Sequence, residues 1–163
     1  EMPEPPATWI WGSYPDQACN AFADQNLFTS PYTPIKGKAG RYNCVSAELV
    51  IPDSDGKKTL IYEAEGVAQK VTDYTMTLKM KQGDNSKEAI ASKKVWTIYV
   101  AVLVNKLFEI QLGETDLQSL ANLKEGKSFT AIYDEKLKML ASATPKDGNI
   151  YYEFKATGLP MTK

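Results

Sequence analysis

The sequence predicts an α+β fold in which an antiparallel β-sheet packs on one long apolar helix, with a short N-terminal helix and one disulfide. Several short segments alternate apolar with polar residues, which is typical of strands in a sheet with one solvent-facing side. An apolar stretch at 95–104 lies between two groups of such segments. The two cysteines, Cys19 and Cys44, both lie in the first third of the chain. Runs of strands around a central helix indicate α+β rather than alternating α/β.

The N-terminal residues 1–8 are rich in proline and acidic residues. Because proline fixes φ and lacks an N–H donor, we expect an extended tether there. Residues 9–163 have a length that suits a single domain. Within this domain Pro15 precedes a short predicted helix over 16–25, in which Ala18, Cys19 and Phe22 share one face.

Three strands are predicted next, over 41–51, 59–65 and 67–81. In the first, period-two spacing puts Val45, Ala47 and Leu49 on the core face and Cys44 on the opposite face. The third has the clearest alternation, and its predicted core residues are Tyr74, Met76, Leu78 and Met80.

A long helix is predicted over 86–108, where Asn85 and Glu88 have the spacing of a capping box. Its interior is rich in β-branched residues, so a strand is the alternative, but its length and cap favour a helix. Apolar residues on all sides predict burial on most sides. Asn105 and Lys106 interrupt the run before the ~20 residues that a membrane span needs, so no transmembrane segment is expected.

Thr115 and Gln118 also have capping-box spacing and predict a second, shorter helix. Further strands are expected over 128–133, 136–143 and 150–157. The turn signal at 145–148 separates the last two of these strands.

The composition excludes several function classes. A net charge of −1 gives no electrostatic reason to expect nucleic-acid binding. The chain contains no histidine, which rules out Ser-His-Asp and Cys-His catalysis and leaves too few ligands for zinc. We therefore expect no metal, no cofactor and no catalytic residue.

The cysteine pair predicts a disulfide between Cys19 and Cys44, with two buried free thiols as the alternative. A disulfide places the protein outside a reducing cytosol. With the Pro-rich start, this predicts a periplasmic or secreted protein of the bacterial cell envelope. Lipid anchoring through a residue upstream of this chain would fit the same pattern.

Three groups of residues invite a functional interpretation, and each has a structural alternative. Glu63 and Glu65 face the same way and could act as paired carboxylates, or be solvated. One group could line a ligand pocket between sheet and helix, or simply fill the core: Met76, Met80, Trp96, Tyr99 and Met139. Another could attract an acidic partner, or form a solvated face: Lys79, Lys81, Lys87, Lys93 and Lys94.

These observations predict a non-enzymatic binding or interaction protein of the cell envelope, such as an inhibitor, an immunity or exclusion factor, or an accessory domain. The sequence identifies no partner. One alternative is a carrier of a small apolar ligand between sheet and helix. The other is a hydrolase that uses carboxylates alone.

Overall fold

A computed structural model describes residues 13–52, 57–133 and 137–158. The tether predicted over 1–8 lies outside these residues. The α-helices are α1 (Pro15–Cys19), α2 (Lys87–Phe108) and α3 (Glu114–Ala121), and a 3-10 helix covers Ala23–Gln25. The strands are β1 (Thr33–Pro34), β2 (Tyr42–Val45), β3 (Leu49–Val50), β4 (Thr59–Val67), β5 (Lys70–Lys81), β6 (Ser128–Tyr133), β7 (Leu137–Lys146) and β8 (Asn149–Gly158).

The strands form one antiparallel sheet in the order β1-β2-β4-β5-β8-β7-β6, and β3 pairs with β4 beyond the end of β2. The long strands are β4, β5, β8 and β7, which are neighbours in that order. The connection from β5 to β6 contains α2 and α3, so that β8 returns to pair with β5. The predicted α+β class with an antiparallel sheet is confirmed.

The core lies between one face of the sheet and α2. The predicted inward residues of β5 (Tyr74, Met76, Leu78 and Met80) are all buried, as the alternation of the sequence indicated. Trp96 of α2 is fully buried, and its indole Nε1 donates to the Met76 carbonyl at 3.0 Å. This bond fixes the helix to the sheet and satisfies the indole donor, which would be costly to bury without a partner.

The face assigned to Cys44 from the sequence was wrong. Cys44 is fully buried on the core face, directly opposite Ala64 of β4, and not on the face away from the long helix. Val45 pairs with Glu63 and Leu49 pairs with Leu60, so four steps along one strand match three along the other. The extra residue is a bulge, and because side chains alternate with period two it moves the following residues to the other face. The sequence alternation from 45 to 51 therefore does not describe one continuous strand.

The disulfide itself is confirmed, with Cys19 and Cys44 bonded and their Cα atoms 6.0 Å apart. It holds α1 on the core face of the sheet, beside α2. Tyr62 of β4 supports the same position, because its hydroxyl donates to the Ala18 carbonyl and its ring meets Phe22 edge-on at 5.0 Å. The N-terminal helix is thus part of the core rather than a separate fastening on the far face.

Helix boundaries differ from the sequence prediction because the caps differ. The N-cap of α2 is Ser86, whose hydroxyl accepts from the Ala89 N–H, rather than Asn85. α3 begins one residue earlier than its expected cap, so Thr115 lies inside the helix and Gly113 is the N-cap. The predicted helix over 16–25 is divided between α1 and the 3-10 helix, which ends at Asn26 in a left-handed conformation.

One glycine is required by close packing. Gly66 lies at an irregularity between β4 and β5, where a Cβ would collide with the backbone of Lys70 and Val71. At the opposite end of the sheet, Asp147 and Gly148 both have positive φ and form the two-residue turn between β7 and β8. Such a turn matches the twist of the strands that it joins.

Candidate functional site

The five residues of the predicted ligand pocket lie between the sheet and α2. Met76, Trp96 and Met139 are fully buried, Met80 is buried and Tyr99 is partly exposed. Trp96 is already bonded to the Met76 carbonyl. This packing is that of a core, and the interpretation of the group as a ligand pocket stays a prediction.

The two carboxylates considered for catalysis lie on the outer face of β4 and are each held by a neighbour. Glu63 accepts from the Asn43 amide at 2.8 Å. Glu65 accepts from Arg41 Nε at 3.2 Å, and the same guanidinium bonds Asp73 at 3.1 Å. The carboxylates of Glu65 and Asp73 thus share the one arginine, at the end of β4 and β5 where the two strands join.

The lysines of the predicted basic zone differ in burial and in the element that carries them. Lys79 and Lys81 lie on the outer face of β5, whereas Lys93 lies partly buried on α2. The Lys93 ammonium donates to the Leu123 carbonyl at 2.7 Å and lies 4.8 Å from the centre of the Tyr152 ring. Burial, and then the charge of nearby Lys124, lower the pKa of Lys93. Lys93 is therefore a structural cation that joins α2 to the segment after α3.

Three clefts meet around Lys81, at the end of β5. We call this region the basic end. Among the residues that the structure describes, its lining holds twice as many lysines as carboxylates: Lys57, Lys58, Lys79, Lys81, Lys93 and Lys124 against Glu48, Asp84 and Glu125. Since the whole chain has a net charge of −1, this excess is a local feature.

Lys58 and Asp84 form the most buried ion pair of the basic end. The Lys58 ammonium lies 3.1 Å from the Asp84 carboxylate, and the side chain of Lys58 is only 7% exposed. Asp84 also accepts from the Ser86 N–H at 2.9 Å, just before α2. This hydrogen bond, the Ser86 hydroxyl and Lys58 lower the pKa of Asp84 to about 2. The pair connects the start of β4 to the start of α2.

The cleft between Lys57, Lys79 and Lys81 has a volume of about 460 Å³. Thr59 also lines it and is 6% exposed. Among the described side chains, its hydroxyl is the one buried polar atom with no hydrogen-bond partner. Glu48, Gly148 and Asn149 also line it. We call this region the Thr59 cleft.

Sequence reasoning identified Lys79 and Lys81 but missed Lys57 and Thr59. Leu60 and Tyr62 of β4 are fully buried, and period two therefore puts Thr59 on the outer face of the sheet, paired with Lys79. The period-two alternation of β4 and β5 in the sequence could therefore have grouped Thr59 with Lys79. The unsatisfied hydroxyl is a property of the packing and has no signal in the sequence.

The outer side of α2 is exposed, although within the apolar run 95–104 every residue except Ile98 is buried or partly buried. Ile90 and Ile98 are more than half exposed, and they lie eight positions apart on one side of the helix. A groove of about 640 Å³ runs between α2 and the segment that includes α3, and its apolar lining includes Ala101, Val102 and Leu117.

Comparisons with family models, curated proteins and solved structures gave no match to this chain. In the parts of the chain that the structure describes, His, Cys, Asp and Glu side chains form no group of three or more that could hold a metal ion. Within the same parts, α2 and the other helices are too short or too polar to cross a membrane. The Cys19–Cys44 disulfide is compatible with an extracytoplasmic protein.

Proposed function

We propose that the protein is a non-enzymatic binding protein of the bacterial cell envelope, periplasmic or secreted, and that its basic end binds an acidic protein partner. The observation that carries this proposal is the local excess of lysines around Lys81 in a chain of nearly neutral charge. Electrostatic complementarity of this kind steers association and selects partners.

The distribution of acidic residues supports the same proposal. At the end of the sheet where β4 and β5 join, Glu65 and Asp73 surround Arg41. Lys81 lies eight residues along β5 from Asp73, about 26 Å away at the rise of an extended strand. This distance exceeds the Debye length of about 8 Å at physiological ionic strength. The charges of Glu65 and Asp73 are therefore largely screened from a ligand at the basic end.

A binding role is supported over carboxylate catalysis by the positions of Glu63 and Glu65. Each accepts a hydrogen bond from a neighbouring side chain on the outer face of the sheet. General acid–base catalysis on glycosides uses one carboxyl group with a raised pKa, which requires burial or a like charge beside it. The group beside Glu65 is a cation, the Arg41 guanidinium at 3.2 Å.

The disulfide supports the cellular location. Cys19 and Cys44 are bonded within the core, and such bonds persist in oxidising compartments. We propose the periplasm or the extracellular space as that compartment. A lipid anchor upstream of Glu1 would keep the basic end near the envelope, and intact-mass analysis of the protein purified from its native membrane fraction tests this part of the proposal.

The test measures binding of defined peptides by fluorescence anisotropy at low and at physiological salt. The probes are an oligoglutamate peptide and an uncharged peptide of equal length. We expect only the oligoglutamate to bind, with an affinity that falls as salt rises, because exposed charges are screened. The variant that reverses charge at the basic end combines Lys57→Glu with Lys81→Glu, and we expect it to weaken binding at least about tenfold.

A matched control reverses two lysines elsewhere, Lys138→Glu with Lys155→Glu. Both are exposed on the outer face of the sheet, in β7 and β8, and the net charge of the protein changes by the same amount. We expect this control to bind within about twofold of the wild type. Equal losses in the two variants would mean that overall charge, and not the basic end, attracts the peptide, and the proposal would then be wrong.

A further inference from the structure

Thr59 carries a buried hydroxyl without a partner, at the wall of a lysine-lined cleft. Two other buried hydroxyls are bonded: the Ser46 hydroxyl donates to the Ala47 carbonyl and accepts from the Tyr62 N–H, and the Thr97 hydroxyl donates to the Lys93 carbonyl. Buried polar groups in folded proteins almost always have partners, so an exception calls for an explanation. A ligand that accepts from the hydroxyl is one explanation.

The residues around Thr59 show what kind of ligand this would be. Lys79 is the direct cross-strand partner of Thr59, and Lys81 follows on the same face of β5. Asn149 is opposite Lys81 in β8 and supplies a side-chain amide. Side chains of paired residues on one face of a sheet lie about 5 Å apart, so their polar groups can meet at one ligand. Ammonium, amide and hydroxyl groups can all donate to one oxygen-bearing anion.

We propose that the Thr59 cleft is an oxyanion-binding subsite that takes a carboxylate side chain of the acidic partner. This inference rests on the proposed function for the source of the carboxylate. In this subsite the Thr59 hydroxyl donates to one carboxylate oxygen, and the ammonium groups of Lys79 and Lys81 supply the opposite charge. Lysine suits this role because its flexible four-carbon stem lets the ammonium move aside for entry and then follow the ligand.

Within the described ranges, Glu48 is the one carboxylate in the lining of this cleft, and it opposes an anion. Three lysines outnumber it, so the local balance still favours an anionic ligand. The acidic protein partner of the proposed function supplies this anion as the carboxylate of a Glu or Asp side chain, and the subsite is therefore assigned to a carboxylate.

The test is a titration of the whole protein followed by NMR of its backbone amides, with sodium acetate and inorganic phosphate as probes and sodium chloride as the ionic-strength reference. We expect acetate to give saturable shifts at residues 57–59, 79–81 and 149 that chloride does not give. Thr59→Val should weaken acetate binding at least about tenfold, since a hydrogen bond to a charged group is lost. Thr59→Ser keeps the hydroxyl and should retain binding.

Thr77→Val is the matched control, because Thr77 lies on the same face of β5, two residues before Lys79, and outside the lining of the cleft. It should bind acetate as the wild type does. Wild-type shifts no larger than those with chloride, unchanged binding in Thr59→Val, or saturation by phosphate alone would each overturn the subsite. Oligoglutamate binding that survives in Thr59→Val but not in the Lys57→Glu, Lys81→Glu variant overturns the subsite and leaves the proposed function standing. Saturable acetate binding at Thr59 without any oligoglutamate binding would overturn the proposed function and leave the subsite standing.

Discussion

Replacing Cys19 and Cys44 together by alanine removes the crosslink that joins α1 to β2. The two cysteines are 25 positions apart, and in the chain-entropy model a crosslink of this span lowers the entropy of the unfolded chain by an amount worth about 3.5 kcal/mol at 25 °C. With a urea m-value of about 2 kcal/mol per molar, the unfolding midpoint should fall by about 1.7 M.

The folded state should change little in this variant, because other contacts hold the same segment. The Tyr62 hydroxyl donates to the Ala18 carbonyl, and the Lys106 ammonium donates to the Ala21 carbonyl and the Asp24 carboxylate. These bonds do not depend on the crosslink. The loss of stability should therefore arise mainly from the greater freedom of the unfolded chain.

The assay is urea unfolding followed by tryptophan fluorescence, since Trp96 is fully buried in the core. The wild type in reductant serves as the matched sample, because reduction opens the same loop without removing sulfur from the core. Both samples should lose about the same free energy of unfolding. A loss below about 1 kcal/mol would contradict a contribution of the crosslink through the entropy of the unfolded chain. So would hydrogen-exchange data in which only residues 15–25 lose protection while the global free energy of unfolding stays unchanged.

Three further predictions concern Thr59, Asp84 and Gly66. Thr59→Val should raise the free energy of unfolding by about 1 kcal/mol in thermal or urea melts, because a buried hydroxyl without a partner is removed; a destabilised variant would show that the hydroxyl is bonded in solution. The pKa of Asp84 lies at about 2 in the folded protein, below its ordinary 3.8, so its ionised form stabilises the fold above about pH 4 and this contribution is lost as pH falls from 4 to 2. Melting temperatures of Asp84→Asn should accordingly fall less steeply over that range than those of the wild type, and parallel curves would contradict the assignment. Gly66→Ala should cost about 3 kcal/mol by urea unfolding, since its Cβ meets backbone atoms of Lys70 and Val71 that cannot turn away. The control Gly113→Ala has open space and should cost less than about 1 kcal/mol; similar losses in both would count against the clash.

The long strands and the long helix could be predicted from local pattern. In β5 the alternation from Tyr74 to Met80 matches the buried positions residue by residue, because a strand in a sheet with one covered face imposes period two on its sequence. The helix predicted over 86–108 matches α2 (Lys87–Phe108) closely, although its N-cap is Ser86 and not Asn85. Asn and Ser both cap helices well, so whether Asn85 or Ser86 is the N-cap depends on where the preceding turn places each residue.

The candidate site was predictable only in part. The sequence grouped Lys79 and Lys81, which are two residues apart on one strand, but not Lys57 and Thr59, which enter through β4. It also grouped Lys93 with them, whereas that side chain faces the Leu123 carbonyl and not the Thr59 cleft. Neighbours across strands depend on register, and register is set by pairing along the whole sheet.

The α+β class, the disulfide and the core faces of the long strands follow from residue type and local periodicity, so they could be predicted without the structure. The face of Cys44 and the isolation of the Thr59 hydroxyl depend instead on how the strands pair and pack. A bulge of one residue between β2 and β3 reverses the side of the sheet that each later side chain takes, and no local pattern reports it. Whether the hydroxyl has a partner depends on the position of every element around it, so this property cannot be read from a local segment of the sequence.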